Sequence, residues 1–376
     1  MNTCTVMLLL ILTVVGANQA GSVRRCPPDQ KCVEFPHCSE WCQVVRDGRL
    51  AMDLTVRRKL SNSTCSFVGS TPYVCCLESS ISKERVCNLE EAEGDDDECG
   101  VVQLEHGLRC AGCNSTSPGA WPWMVRLLYP SQGRGDTNCG GVLVSSRHVI
   151  TAGHCIQGRE GPDKAVLGES DISAEYDCLD VEGGCQDTDR GCYLAGLCAP
   201  RSVEVPIRGA VTHPAYDYCA GCVSYQDIAV IILDDLVTFS LFIQPVCLPV
   251  APVEGALVLT GWGNTRAGLR GREPATVLQQ LPLLEVPLEK CQEIWRTDLR
   301  TSQVCASSGT PGQAPCQGDS GGPLVRLVDR RREVWELAGV VSFGPSVCGN
   351  VDHPVVFTRI SGQILEWVKG VVGGKR

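Results

Sequence analysis

The chain has 376 residues, 43% of them hydrophobic, and a net charge of −10 from 33 basic and 43 acidic side chains. That length predicts two domains, and the hydrophobic share is enough for a real core. The acidic balance argues against a nucleic-acid partner, because phosphate binding needs a clustered basic face; the short Arg330-Arg331-Arg332 run is flanked by Asp329 and Glu333 and reads as a solvated hairpin tip. The 25 cysteines point to an oxidising compartment. Zinc competes at Cys110-Ala-Gly-Cys113 and Cys219-Ala-Gly-Cys222, whose spacing suits a tetrahedral site. In a secreted chain disulfides are the default.

In chain order, residues 6–16 (VMLLLILTVVG) form an apolar run too short to cross a bilayer. Small residues follow at Ala17 and Ala20, so residues 1–20 are expected to be a signal peptide, although no Lys or Arg precedes the run. No later segment is long and apolar enough to span a membrane. Glycosylation sequons begin at Asn62 and Asn114. A secreted, extracellular protein is the expectation.

Residues 26–76 hold Cys26, Cys32, Cys38, Cys42, Cys65, Cys75 and Cys76. A unit this small, and poor in apolar runs, needs covalent staples. Seven cysteines mean that at least one bonds outside the unit or stays free. Residues 77–109 are expected to be a linker ending at Arg109, because residues 90–98 (EEAEGDDDE) self-repel and stay extended. From Trp121 onward short β-rich runs recur: MVRLL, GVLVSSRHVIT, DIAVIIL, GALVLTGWG, WELAGVVSF and VVFTRI. With Gly, Pro and Asn between them, they predict an all-β barrel or sandwich. Residues 364–372 (ILEWVKGVV) have helical spacing, with Ile364, Trp367 and Val368 on one face.

Three motifs carry chemistry: Thr151-Ala-Gly-His154-Cys155, Gln226-Asp227-Ile-Ala-Val, and Cys316-Gln-Gly-Asp-Ser320-Gly-Gly-Pro323. A lone His beside a Cys is usually structural, and a lone Asp before an apolar strand is usually a turn residue. The third motif is far more specific. Gly318, Gly321 and Gly322 frame an Asp and a Ser where the backbone can turn sharply and present N–H groups to a bound atom. A Ser hydroxyl is a poor nucleophile without an adjacent, oriented base.

Together these motifs resemble the chymotrypsin-fold serine proteases, whose triad runs His, Asp, Ser along the chain. The resemblance extends over residues 110–372 through Gly261-Trp-Gly263, Ser342-Phe343-Gly344 and Pro354-Val-Val-Phe357. It implies an all-β fold, a double six-stranded β-barrel of chymotrypsin type with a C-terminal helix. It implies Ser320 as nucleophile, His154 as general base and acid, and Asp227 as the group that holds the imidazole, with Ser342 bonded to Asp227. The N–H groups of Gly318 and Ser320 would form the oxyanion hole. The implied disulfides are Cys139–Cys155, Cys291–Cys305, Cys316–Cys348, and a chain-tethering Cys99–Cys247. The adjacent Cys75-Cys76 makes the front unit resemble the clip domain of arthropod serine proteases, which implies Cys26–Cys75, Cys32–Cys65 and Cys38–Cys76, with no place for Cys42. The insertion from Cys178 to Cys198 resembles a disulfide-closed loop of some clip proteases; Cys185 and Cys192 fall inside it. Glu169, just before it, is a candidate for a calcium loop, although a surface carboxylate is the commoner fate. No cofactor is expected to be required.

The family implies a zymogen cut after Arg109, with the new terminus inserting to pair with Asp319. Here Cys110-Ala-Gly-Cys113 occupies the place of Ile-Val-Gly-Gly. The lost methyls should weaken insertion by about 1–3 kcal/mol, at ~0.8 kcal/mol per buried CH₂. A disulfide from Cys110 or Cys113, to Cys219 or Cys222, would offset the loss. The pocket floor, six residues before the nucleophile, is Ala314 rather than the Asp of trypsin-like members. Gly344 leaves room on one wall, and Val355 blocks the other. An apolar, elastase-like pocket follows. The expected function is a secreted endopeptidase zymogen in an extracellular cascade of immunity, melanisation or development. Its expected partners are protein substrates, an upstream activating protease, a serpin inhibitor and a clip-binding cofactor protein. The alternative is a catalytically weak or inactive protease-like adaptor, favoured by the altered terminus and the narrowed pocket.

Overall fold

The computed structural model describes residues 26–34, 37–46, 63–68, 71–83, 99–102, 115–130, 139–157, 161–177, 199, 201–217, 224–240, 242–250, 255–264, 274–310, 315–329, 334–345 and 352–373. The expected signal peptide, both sequons (Asn62, Asn114), the acidic run, Arg109, Cys110, Cys113, Cys178, Cys185, Cys192, Cys198, Cys219, Cys222, Ala314 and Cys348 lie outside the described residues.

The front unit is a three-stranded antiparallel sheet. It contains β1 (Gln30–Glu34), β2 (Thr64–Val68) and β3 (Thr71–Leu77) in the order β1-β3-β2, with helix α1 (Ser39–Arg46) between β1 and β2. Successive side chains on a strand point to opposite faces. The adjacent Cys75 and Cys76 on β3 therefore tie in two directions, to Cys26 and to Cys38, while Cys32 on β1 bonds Cys65 on β2. Cys38, Cys42, Cys65, Cys75, Cys76, Trp41 and Val74 are all buried, so half-cystines make up much of the core that a unit this small cannot build from aliphatics. Cys42 is disulfide-bonded as well. The other six cysteines pair among themselves, so its partner lies outside residues 26–76. The boundary expected at Cys76 falls inside the paired structure. Ile81 bridges Cys38, and the Ser82 N–H donates to the His37 carbonyl at 2.9 Å.

The second unit consists of two closed six-stranded barrels. The first takes β4 (Met124–Leu128), β5 (Gly140–Leu143), β6 (His148–Thr151), β7 (Lys164–Leu167), β8 (Val203–Thr212) and β9 (Ala229–Leu233) in the order β4-β5-β6-β9-β8-β7. The second takes β10 (Leu257–Gly261), β11 (Gln279–Val286), β12 (Gln303–Ser307), β13 (Pro323–Asp329), β14 (Val334–Phe343) and β15 (Val355–Arg359) in the order β10-β11-β12-β15-β14-β13. Closure removes the edges that an open sheet would leave unpaired. The second barrel is filled by Leu259, Val304, Leu324, Val341 and Phe357, contributed by five different strands. Helix α2 (Leu288–Trp295) lies between β11 and β12, and α3 (Gly362–Val372) ends the described chain. On α3 Ile364 and Val368 are buried, and Trp367 meets His213 edge-on at 4.8 Å. Among the described residues no helix is long and apolar enough to cross a membrane.

The barrel unit begins before residue 110. Cys99 bonds Cys247, the Gly100 N–H donates to the Pro245 carbonyl (2.8 Å), and the Gly100 carbonyl accepts from the Trp335 N–H (2.8 Å). Gly100 sits at φ +70, where a Cβ would collide with the Trp335 carbonyl. The end of the expected linker is thus fastened to the second barrel from Cys99 to Val101, which bridges Val334.

Candidate active site

His154 lies in a single 3₁₀ turn, Gly153–Cys155, directly after β6, and Cys139–Cys155 pins the turn to the start of β5. Asp227 lies two residues before β9. Because β6 pairs with β9 (Thr151 opposite Ala229), the two side chains meet across the ladder. Asp227 is 2% exposed. Its Oδ1 accepts the His154 backbone N–H at 2.9 Å, and its Oδ2 faces His154 Nδ1 at 2.8 Å. A carboxylate only accepts, so Nδ1 carries the proton and Nε2 keeps its lone pair. Ser342 Oγ donates to the same Oδ2 at 2.6 Å, and Thr358 Oγ1 donates to the Asp227 carbonyl at 2.8 Å. Ser342 reaches it because the β14–β15 register slips between Val341 and Phe343, a bulge that re-aims one side chain out of the ladder. A Cβ on Gly153 would stand 3.1 Å from the Tyr216 ring and 3.2 Å from Asp227 Oδ1, so this turn packs closely on the carboxylate.

Burial disfavours charge on His154. The hydrogen bond to Asp227 and that carboxylate's charge outweigh it, and the imidazole is held above its ordinary value of 6.5. The sign is the same in two measurements. A general base must be neutral, so kcat/KM is expected to fall as pH drops through a value above 6.5, read from a pH–rate profile. The pair's contribution to stability is fully present below the unfolded value and is lost as pH rises through the folded one. A profile whose acid limb lies below 6.5 would sink this account of His154.

Ser320 is half-buried in the loop that precedes β13. Its carbonyl accepts the Gly140 N–H at 2.8 Å, and the Gly140 carbonyl accepts Thr151 Oγ1 at 2.8 Å, three residues before His154. Next to it, the Gly321 N–H donates to the Val341 carbonyl at 3.0 Å. The backbone that carries Ser320 is therefore fixed to both barrels. Gly318 (φ +103) and Gly321 (φ +74) occupy backbone conformations that favour glycine. At Gly321 a Cβ would also collide with Thr151 Oγ1. No acceptor among the described residues takes the N–H of Gly318 or of Ser320.

Asp319 turns the other way, into the protein, and is buried. Its oxygens accept the N–H groups of Gly263 and Cys316, each at 2.9 Å. A Cβ on Gly261 or Gly263 would collide with its carboxylate, which explains Gly261-Trp-Gly263: the glycines make room for an acid. Burial pushes Asp319 up to about 6, against the opposing pull of those two N–H groups. Its proton is thus bound more tightly in the fold than in the unfolded chain, and this contribution to stability is lost as pH rises through about 6.

Gly344 and Val355 face each other: a Cβ on Gly344 would lie 3.1 Å from Val355 Cγ2. Val355 is 2% exposed and belongs to the core of the second barrel. Cys316 is disulfide-bonded, and Cys291 bonds Cys305. Glu169 Oε1 accepts the neighbouring Ser170 N–H at 3.1 Å. Among the described residues the groups spaced to hold a metal ion are Cys26/Cys65/Cys75 and Cys139/His154/Cys155. The sulfurs of both are in disulfides, and Glu169 belongs to neither. Sequence reasoning missed Thr358, Thr151 and Gly140 as supports of the site. Thr151 had a signal, its place in the His154 motif. Thr358 is 131 residues from Asp227 and had none.

A family profile described as Trypsin matches residues 111–181 and 199–368. The chain belongs to the trypsin family. Within that family it is similar to Serine protease ea of Drosophila melanogaster, 32% identical over 348 residues that cover 85% of this chain and 82% of that one. Proclotting enzyme of Tachypleus tridentatus is 31% identical over 354 residues, 87% of this chain and 86% of its own. The crystal structure of Drosophila Grass, a clip serine protease of the Toll pathway, superposes with a TM-score of 0.60 at 25% identity and covers 94% of this chain and 98% of that one. The likeness takes in the small disulfide-rich sheet as well as the barrels. This trypsin-family serine endopeptidase is of the clip-domain type.

Proposed function

We propose that this clip-domain protease is a secreted zymogen, activated by a cut after Arg109, that hydrolyses protein substrates after small aliphatic residues in an extracellular cascade. The observation that carries the reading is the chain Ser342 Oγ–Asp227–His154. A buried carboxylate fixes the imidazole tautomer with the proton on Nδ1 and the lone pair on Nε2. In the Ser-His-Asp mechanism Ser320 Oγ attacks the scissile carbonyl while His154 Nε2 takes its proton. The imidazolium, stabilised by Asp227, then protonates the leaving amine, and water reverses the steps. The N–H groups of Gly318 and Ser320 receive the oxyanion. Asp319, buried and raised, is the group a new terminal ammonium would meet, and the pairing would offset its burial. The apolar preference rests on Ala314 and on Val355 filling the space opposite Gly344. A place in a cascade is supported by the relatives' names, Proclotting enzyme among them. Secretion is supported by the apolar run over residues 6–16 and by the disulfides.

A second reading keeps its own support. Cys110-Ala-Gly-Cys113 lacks the apolar bulk that anchors an inserted terminus, and the pocket is narrowed, as befits a weak or inactive adaptor. Fluorophosphonate labelling before and after cleavage at Arg109, with the cut verified by sequencing from Cys110, separates the two. Labelling of Ser320 that appears only after the cut is the expected result. A clean cut without labelling would leave the adaptor.

A further inference from the structure

The first barrel carries Asp227, but the second barrel fixes the segment that delivers it. Residues 224–227 enter β9 through a tight bend. Gln226 has φ +48, in the left-handed region that costs a non-glycine residue, and the Ile228 N–H donates to the Gln226 carbonyl at 2.8 Å across Asp227. A strained turn of this kind persists only where its surroundings over-determine it.

Those surroundings come from residues 298–303. Tyr225 Oη donates to the Asp298 carbonyl at 2.9 Å. The Arg300 guanidinium lies 3.6 Å from the centre of the Tyr225 ring, well inside cation–π range. Gln303, 2% exposed, donates its Nε2–H to the Ser224 carbonyl at a long 3.4 Å, and its Oε1 accepts the Arg300 N–H at 3.0 Å. The platform is itself rigid. Cys291–Cys305 closes the segment, and Gln292 Nε2 donates to Asp298 Oδ1 (3.2 Å) and to the Leu299 carbonyl (2.9 Å).

We propose that Tyr225 and Arg300 form an inter-barrel clamp that positions Asp227 against His154. Both are positioning residues: they act through Asp227 and touch no reacting atom. Their role rests on the reading of His154, Asp227 and Ser320 as a working site. Arg300 is exposed and Tyr225 half-buried, so the clamp sits at the rim, where one substitution can loosen the aspartate without opening the core. Misplacing a catalytic group from a distance costs rate far more than binding, on the order of ten- to a hundredfold.

The test uses the full chain cut at Arg109, in wild-type form and as Arg300→Ala, Arg300→Lys and Tyr225→Phe, with active sites counted by fluorophosphonate. For Arg300→Ala we expect kcat per labelled site to fall roughly ten- to a hundredfold with KM within about twofold. Arg300→Lys keeps a cation over the ring and should recover much of the rate, and Tyr225→Phe should fall between them. A readout that needs no turnover is the downfield proton resonance of His154 Nδ1–H, which should broaden or shift in Arg300→Ala. Unchanged kcat and an unchanged resonance would overturn the clamp, as would a lower melting temperature with both unchanged, which marks a merely structural contact. If wild type itself does not label, the proposed function fails, and the resonance still decides the clamp.

Discussion

Asp227→Asn is expected to lower kcat by about 10⁴-fold and to leave substrate binding close to wild type. The carboxylate accepts three hydrogen bonds, from the His154 N–H, from His154 Nδ1–H and from Ser342 Oγ–H, and every donor points at an acceptor. An asparagine of the same shape brings a donor into that ring of donors. Its NH₂ must take either the Oδ1 position, against the His154 backbone N–H, or the Oδ2 position, against both His154 Nδ1 and Ser342 Oγ. Against Nδ1, it favours the tautomer that carries its proton on Nε2, where no base remains for Ser320. The loss comes from orientation, so it should appear in kcat of the cleaved protein on an ester or peptide substrate, with the acid limb of the pH profile displaced. The fold should survive, because the side chain keeps its volume and Thr358 still holds the Asp227 carbonyl position. A variant retaining a tenth or more of wild-type kcat would show that His154 needs no such partner.

The second large effect is expected at Val355→Gly. On the pocket proposed above, the valine isopropyl fills the space that Gly344 leaves open, where a Cβ on residue 344 would stand 3.1 Å from Val355 Cγ2. Removing it should deepen the pocket and move the preference from Ala and Val toward Leu and Phe. Differences of one methylene in an apolar pocket are worth roughly 10–200-fold, so the kcat/KM ratio for Phe over Ala should rise by about a hundredfold. The same isopropyl is part of the second barrel's core, where it packs with Leu259, Val304 and Phe357. Its loss should therefore cost about 1.5–3 kcal/mol of stability, visible as a lower melting temperature. A peptide library cut by the variant with an unchanged preference would mean that Val355 is core alone. Cleavage by wild type chiefly after Arg or Lys would refute the apolar pocket altogether.

The motifs around His154 and Ser320 were legible because each combines a chemical group with the glycines or cysteines that its local turn demands, and Asp227 because it stands directly before an apolar strand. The apolar runs over β4, β5, β6, β9, β10, β14 and β15 were legible for a related reason. Strands buried against a barrel interior are rich in Val, Ile and Leu. Short β7 and β12, and β13, left no run distinct enough to read, and two other strands were hidden by a wet face. β8 is exposed or half-buried along nearly its whole length, and β11 places Pro282, Leu284 and Glu285 outward. Their membership of the barrels is decided by their neighbours. The linker was misjudged at both ends for the same cause. Nothing in Ile81, Ser82 or Gly100 announces that their backbones are paired, because those hydrogen bonds go to partners far along the chain.

By itself the sequence determined the chemistry available to this protease: which side chains could serve as nucleophile, base and acid, which glycines the sharp loops need, and a redox setting in which half-cystines replace an aliphatic core in the front unit. Those properties are local, because a hydroxyl, an imidazole or a missing Cβ is what it is at any position. Only the tertiary structure decided whether they meet. The β6–β9 ladder sets Asp227 beside His154, the slip in the β14–β15 register turns Ser342 onto the carboxylate, and the approach of two barrels brings Thr358 and Gln303 to a turn more than 70 residues away. The reason is physical. The position of an atom within hydrogen-bond distance depends on barrel closure and strand register, which are sums over many long-range contacts and leave no mark at any single residue.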